Sequence, residues 1–254
     1  MIKTIGFIGS GSIGSALSRL AIAAGLDVVL SNAHGPDTLA KLVAELGDRS
    51  RAATPDEAAR SGDLVVAAVP FNRYGQLPAE ALRDKIVIDT MNYYPERDGR
   101  MDEVETGEST TSELVQRHLV GARLVKALHN LDYRRLFVSV RPSEAADRRA
   151  LPIAGDDAAA KTEVARFMDT IGYDAVDIGP LSESWRIGPH TPIYVLPYIG
   201  EAPAGMTKEE AKRWFYDTPG VPISVEQVKQ LVKQAPRGLP VGATFAALPP
   251  GMRS

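Results

Sequence analysis

Cysteine is absent from all 254 residues, which excludes disulfides, thiol nucleophiles, iron–sulfur clusters and cysteine zinc sites. Histidine is nearly as scarce, with four residues, so each can be judged separately as a proton donor or ligand. No apolar stretch approaches the length of a membrane span. A formal net charge of −3 leaves no basic footprint for nucleic acid. The first strand begins almost at residue 1, leaving no room for a signal peptide. These absences describe a soluble, cytoplasmic protein with no nucleic-acid, membrane or metal partner.

What is present begins at the front. Lys3 to Ile8 is an apolar run ending in Gly9-x-Gly11-x-x-Gly14, and Leu17, Leu20 and Ala21 follow at helical spacing. Such a strand, glycine turn and helix form a dinucleotide seat: one glycine permits the turn, one lets backbone approach a pyrophosphate, and one lets helix pack on strand. Gly25 closes the helix, and Leu26 to Leu30 supplies the second strand of a βαβ unit. The spacing predicts cofactor contacts from Gly9, Ser10, Gly11, Ser12, Ile13 and Gly14.

The pattern repeats downstream. Strands are expected at 63–69, 85–89, 123–128, 150–154 and 175–178, with capping boxes at Thr54/Glu57 and Thr110/Glu113 opening helices. The expected fold is α/β: a Rossmann-type, doubly wound, mainly parallel sheet spanning residues 1–182. From Trp185 proline recurs every few residues, so 183–254 reads as a smaller, proline-rich helical segment for substrate binding or dimerisation. Within it, Thr207/Glu210 and Ser224/Gln227 cap two helices, and the chain after Gly238 is expected to lie along a surface. Trp214-Phe-Tyr216 reads as an apolar helix face, with a dimer contact as one possible use.

At the end of the second strand, where NAD-type sites place a carboxylate for the ribose hydroxyls, this chain has Ser31-Asn32-Ala33-His34. A carboxylate would repel a 2′-phosphate, whereas these side chains can donate to it. The sequence thus favours NADP(H) over NAD(H). The alternative use of Ser31 and Asn32 is to cap a following helix that starts at Pro36.

Gly9-Ser-Gly-Ser-Ile-Gly14, Ser31-Asn-Ala-His-Gly-Pro36, Val69-Pro-Phe71, Asp89-Thr-Met-Asn92, Val125-Lys-Ala127 and Asp177-Ile-Gly-Pro-Leu-Ser182, in this order, resemble the motifs of the coenzyme F420-dependent NADP oxidoreductases. The resemblance spans roughly residues 1 to 185. It implies hydride transfer between NADP(H) and the deazaflavin F420, in a homodimer. It also implies that Gly9 to Gly14 hold the pyrophosphate and that Ser31, Asn32 and His34 hold the 2′-phosphate. Val69 and Pro70 would then line the ribose and adenine side, with Asn92 near the nicotinamide. Two departures stand out. Family members commonly have arginine where His34 stands, a charge that Lys41, Arg49 or Arg51 could replace here, and they have a short apolar helical end in place of the segment after Trp185.

Hydride transfer to a carbonyl or imine also needs a proton donor. His129 follows the fifth strand at the carboxyl edge, and His190 lies in Gly188-Pro-His-Thr-Pro192; both are catalytic candidates, with a structural or turn histidine as the plain alternative. His118 reads as a solvated helix residue. Tyr93, Tyr94 and Tyr194 could serve as donors or stacking surfaces, although tyrosines are more often partly buried packing groups with a wet hydroxyl. Three functions remain open: an oxidoreductase passing hydride to F420 or a small carbonyl, imine or flavin-like acceptor; a β-hydroxyacid or imine reductase-like enzyme; and a non-catalytic NADP(H)-sensing regulator.

Overall fold

The computed structural model describes residues 2–189, 191–201 and 203–236. Among them eight strands form one sheet: β1 (Thr4–Ile8), β2 (Asp27–Ser31), β3 (Ser50–Ala52), β4 (Leu64–Ala67), β5 (Ile86–Asp89), β6 (Arg123–Lys126), β7 (Ala150–Gly155) and β8 (Asp174–Asp177). Their order is β3-β2-β1-β4-β5-β6-β7-β8. The first six run parallel, β7 pairs antiparallel with β6, and β8 runs parallel to β7. The chain therefore has the Rossmann-type α/β fold that the alternation of motifs implied. The order reverses between β1 and β4, which opens a crevice at the carboxyl ends of those strands.

Strands β4 and β5 are buried along their whole length, as parallel strands covered on both faces must be. The sheet also holds β3, which no sequence pattern announced: three residues with an exposed Arg51 give no periodicity to read. The helix Ser12–Ala23, here α1, buries Leu17, Leu20 and Ala21 against the sheet. A second unannounced element is α2 (Tyr133–Val138), which Asp132 caps by accepting from the N–H groups of Arg134 and Arg135.

The proline-rich segment packs into the same core. Ile193, Tyr198, Ile223, Val228 and Val232 share one apolar cluster with Ile5, Leu30, Val125 and Ile153. The helices α3 (Lys208–Asp217) and α4 (Val225–Lys233) both begin with the expected capping boxes. The change at residues 182–183 is therefore one of sequence character, and packing runs straight through it. The tail after Gly238 lies outside the described residues.

Candidate active site

Each glycine of the front turn meets a different constraint. Gly9 has φ of 101°, and a Cβ there would sit 2.3 Å from the Ala68 carbonyl oxygen. A Cβ on Gly14 would lie 2.0 Å from the Gly9 carbonyl oxygen, so the helix can approach the strand only because this residue has no side chain. Gly11 is different: nothing lies within 4 Å of its would-be Cβ, and its φ of −74° is open to any residue. The fold itself therefore imposes no requirement for glycine at 11. Gly11 is also the N-cap of α1 and no side chain caps the helix, so the first-turn N–H groups face outward without intrahelical acceptors. Ser10 stays within the protein, its hydroxyl donating to the Ser31 carbonyl at 3.0 Å.

The loop after β2 is built differently from expectation. Ser31 is fully buried and its hydroxyl donates inward to the Phe7 carbonyl at 2.8 Å. Its side chain is thus committed to the sheet and is not presented to a 2′-phosphate. Asn32 folds the loop: Oδ1 accepts the His34 N–H at 2.8 Å and Nδ2 donates to Thr38 Oγ1 at 2.9 Å. Neither residue caps the turn of helix at Pro36–Leu39, whose N-cap is Gly35. The His34 ring stands exposed beside the carboxyl edge. Arg49 pairs with Asp27 at the opposite, amino end of β2, and Arg51 donates to Ser61 Oγ at 2.7 Å.

A cleft of about 410 Å³ begins at Ser12 and Ile13, passes Val69 and Pro70, and reaches Asn92 and His129. Six residues singled out from sequence thus meet in one hollow of the size that holds small ligands. A hollow of about 490 Å³ around Asp63, Lys85 and Ile86 lies at the amino ends of the strands, the edge that such sheets do not use for ligands. Asn92 donates from Nδ2 to the His129 carbonyl at 3.1 Å and to the Tyr194 hydroxyl at 3.4 Å. Its Oδ1 is buried with no hydrogen-bond partner. Such an acceptor is costly unless a ligand supplies a donor.

His129 is not set up as the proton donor. Its ring is buried, and Nε2 lies 2.9 Å from the Ile187 carbonyl, an acceptor that requires the proton on this nitrogen. Burial, reinforced by the charge of Lys126, pushes its pKa well below the usual range. The neutral ring, together with Asn130 Nδ2, ties the end of β6 to residue 187. His190 lies outside the described residues. His118 is half-buried and pinned to the Leu77 carbonyl at 2.9 Å, so it is not the solvated residue that helical position implied.

Sequence reasoning read Phe215 and Tyr216 only as an apolar helix face and passed over the rest of the far wall of the cleft. Arg97, Asp132, Tyr133, Arg134, Phe215 and Tyr216 line it. Arg135 is buried with Asp132, Nη1 to Oδ2 at 2.7 Å, while Nη2 donates to the Phe215 carbonyl and the guanidinium lies 4.5 Å over the Phe215 ring. Arg149 donates to the Val221 carbonyl at 3.0 Å and to the Pro219 carbonyl at 3.1 Å. These two arginines seat α3 and the following loop over the cleft. The only hint in the sequence was Asp132 placed three residues before Arg135 on a short helix. Deeper in the edge, Lys126 is buried beside Asp89 and donates to the Met91 carbonyl. Burial depresses its pKa, and Asp89 opposes the shift.

A carboxyl-edge cleft with an uncapped helix above a glycine turn is the mark of a dinucleotide-binding Rossmann domain. Residues 4–93 match the family model of the coenzyme F420-dependent NADP oxidoreductases, the family whose motifs the sequence resembles. No curated protein matches. Among solved structures, a hypothetical protein from Sinorhizobium meliloti is 26% identical, with a TM-score of 0.67, covering 77% of this chain and 94% of its own. A protein from Arthrobacter sp. FB24, provisionally assigned as an F420-dependent NADP reductase, is 25% identical with a TM-score of 0.61, covering 72% and 87%. A pyrroline-5-carboxylate reductase from Coxiella burnetii, 18% identical with a TM-score of 0.51 over 92% and 76% of the two chains, shares the fold.

Proposed function

We propose that the protein is an NADP(H)-dependent oxidoreductase that transfers hydride between the nicotinamide and a small acceptor, with F420 the acceptor named by the family. The observation that carries this reading is Gly11. It lacks a Cβ where the protein leaves open space, at the uncapped start of α1 and next in sequence to Ser12 and Ile13, which line the cleft. That combination fits a pyrophosphate, which needs close backbone approach and unpaired N–H donors.

The residues of the chain then take distinct tasks. The N–H groups of the first turn of α1 hold the pyrophosphate, and Val69 and Pro70 flank the sugar. The Asn32 to His34 loop offers the exposed imidazole and main-chain groups toward a 2′-phosphate. The buried Oδ1 of Asn92 accepts a carboxamide N–H at the nicotinamide end, its orientation fixed because Nδ2 already faces the His129 carbonyl. When bound, NADPH supplies a hydride, and catalysis then rests on holding the two reactants close and keeping water out. Phe215 and Tyr216 of α3 close the acceptor side of the cleft.

Titrating the protein with NADPH and NADH, by the fluorescence of the reduced nicotinamide, tests the reading. NADPH is expected to bind at least tenfold tighter than NADH and to be consumed when F420 or a reducible carbonyl or imine is added. Tight binding with no turnover by any acceptor would favour a sensor over an enzyme.

A further inference from the structure

Three features converge on Tyr194. Its hydroxyl is hydrogen-bonded to that of Tyr94 and accepts from Asn92 Nδ2 at 3.4 Å. Both tyrosines line the cleft next to Asn92 while only 6–7% exposed. The backbone that delivers Tyr194 is strained: Val195, a β-branched residue, has φ of 55° and ψ of −59°. The Leu196 N–H closes a tight turn onto the Tyr194 carbonyl at 2.6 Å, a γ-turn of the rare, strained hand. Val195 N–H is held by the Asn130 carbonyl at 3.0 Å, and Leu128, two residues before Asn130, is itself at φ of 58°. Two non-glycine residues in left-handed conformations thus flank one contact, and such strain persists only where the surroundings enforce it. Packing alone would not require a buried phenol to be aimed at a polar cleft in this way.

We propose that Tyr194 is the proton donor on the acceptor side of the cleft, with Tyr94 as the relay that restores its proton. This rests on the oxidoreductase reading above. The acceptor class is a carbon doubly bonded to, or conjugated with, oxygen or nitrogen. Its carbon gains the hydride, the π pair moves to the heteroatom, the Tyr194 O–H bond breaks and a heteroatom–H bond forms. The Tyr194 oxygen takes the proton of Tyr94, and Tyr94 takes one from water, so one proton is drawn from solvent for each hydride transferred. Asn92 steadies Tyr194 through its N–H, and Arg97, whose guanidinium lies 4.9 Å over the Tyr94 ring, favours transient negative charge on the relay. Burial raises the pKa of both tyrosines. The Tyr94 neighbour adds to the shift at Tyr194, Asp98 and Asp132 act in the same direction, and Arg97 opposes. Tyr194 therefore stays protonated through the neutral range, which suits a donor in reduction.

The test compares wild type, Tyr194→Phe and Tyr94→Phe in the full chain. NADPH affinity is expected to stay within about twofold, while kcat with F420 or a carbonyl or imine acceptor falls about 10²-fold in Tyr194→Phe, a typical loss of a general acid. The kcat of Tyr94→Phe should fall less, and the solvent deuterium effect on kcat should change in both. A readout independent of turnover is the tyrosinate absorbance titration. NADP+, whose nicotinamide is cationic, should shift the late-titrating tyrosines to lower pH, NADPH should not, and Tyr194→Phe should abolish the shift. Turnover of Tyr194→Phe within twofold of wild type, with no NADP+-dependent shift in the wild type, overturns the relay and leaves the oxidoreductase reading standing. If the wild type binds NADPH but reduces none of these acceptors, both fail. Should Tyr194→Phe not fold, Tyr94→Phe carries the same comparison, and an unchanged solvent isotope effect there overturns the relay.

Discussion

The two walls of the cleft are made by different means. The front wall is backbone: a glycine turn, an uncapped helix start and the ends of parallel strands, with Gly9 and Gly14 each needed because another main-chain atom occupies the space of a Cβ. The rear wall is side chain. Arg135 and Arg149 reach across 70 to 80 positions of sequence to hold carbonyls of residues 215 to 221. Backbone devices of the first kind have fixed spacing and recur wherever a pyrophosphate is bound. A seat of the second kind depends on which loop happens to pass a buried guanidinium, and it can be rebuilt without disturbing the sheet. That difference explains how a common nucleotide domain accommodates an uncommon end.

The largest expected effect tests the rear wall. Replacing Arg135 with Met leaves Asp132 buried without its partner, and the stability measured by urea unfolding should fall by about 3–5 kcal/mol. The double replacement Arg135→Met with Asp132→Asn should recover part of that loss. A single-variant loss below about 1 kcal/mol would mean that the arginine does not hold the segment.

The front wall predicts a contrast within one motif. Gly14→Ala places a methyl against the Gly9 carbonyl and should cost about 1–3 kcal/mol. Gly11→Ser, with open space and a good N-cap side chain, should leave the unfolding free energy within about 0.5 kcal/mol. Equal losses at the two positions would erase the distinction drawn between them.

The contact between the walls is pH-sensitive through His129. Its folded pKa lies well below the usual value, so below about pH 6.5 the unfolded chain binds a proton that the folded chain refuses. Stability should decline as pH falls from about 6.5, by up to about 1.4 kcal/mol per unit, and the contribution is absent above that pH. His129→Gln should flatten this part of the profile; an unchanged slope would place the acid sensitivity elsewhere. The smallest loss expected on removing a native interaction concerns α4, where Ser224→Ala removes a capping hydroxyl and should cost about 1 kcal/mol.

These differences also mark where the sequence was legible. The glycine turn, the strand alternation and four capping boxes could be read because each rests on local geometry within a few residues. Ser31 was misjudged because its type suits a phosphate, while its burial under the sheet edge sends the hydroxyl to Phe7. His129 was placed at the correct edge, yet the acceptor that decides its role, Ile187, lies 58 residues away. Phe215 and Tyr216 read as an apolar helix face, and only the fold shows that face turned onto the cleft. Asn92 stood out through the order of motifs, whereas the burial of its Oδ1 without a partner could not be read from them.

The central claim is that the front turn seats the pyrophosphate of a nicotinamide cofactor, and NADPH titration of wild type beside Gly11→Val tests it most directly. The wild type should bind NADPH, while the variant should unfold within about 1 kcal/mol of it and lose binding by at least a hundredfold, because its side chain would fill the space proposed for the pyrophosphate. Equal NADPH affinity in the two proteins, or no binding by the wild type, would contradict the account.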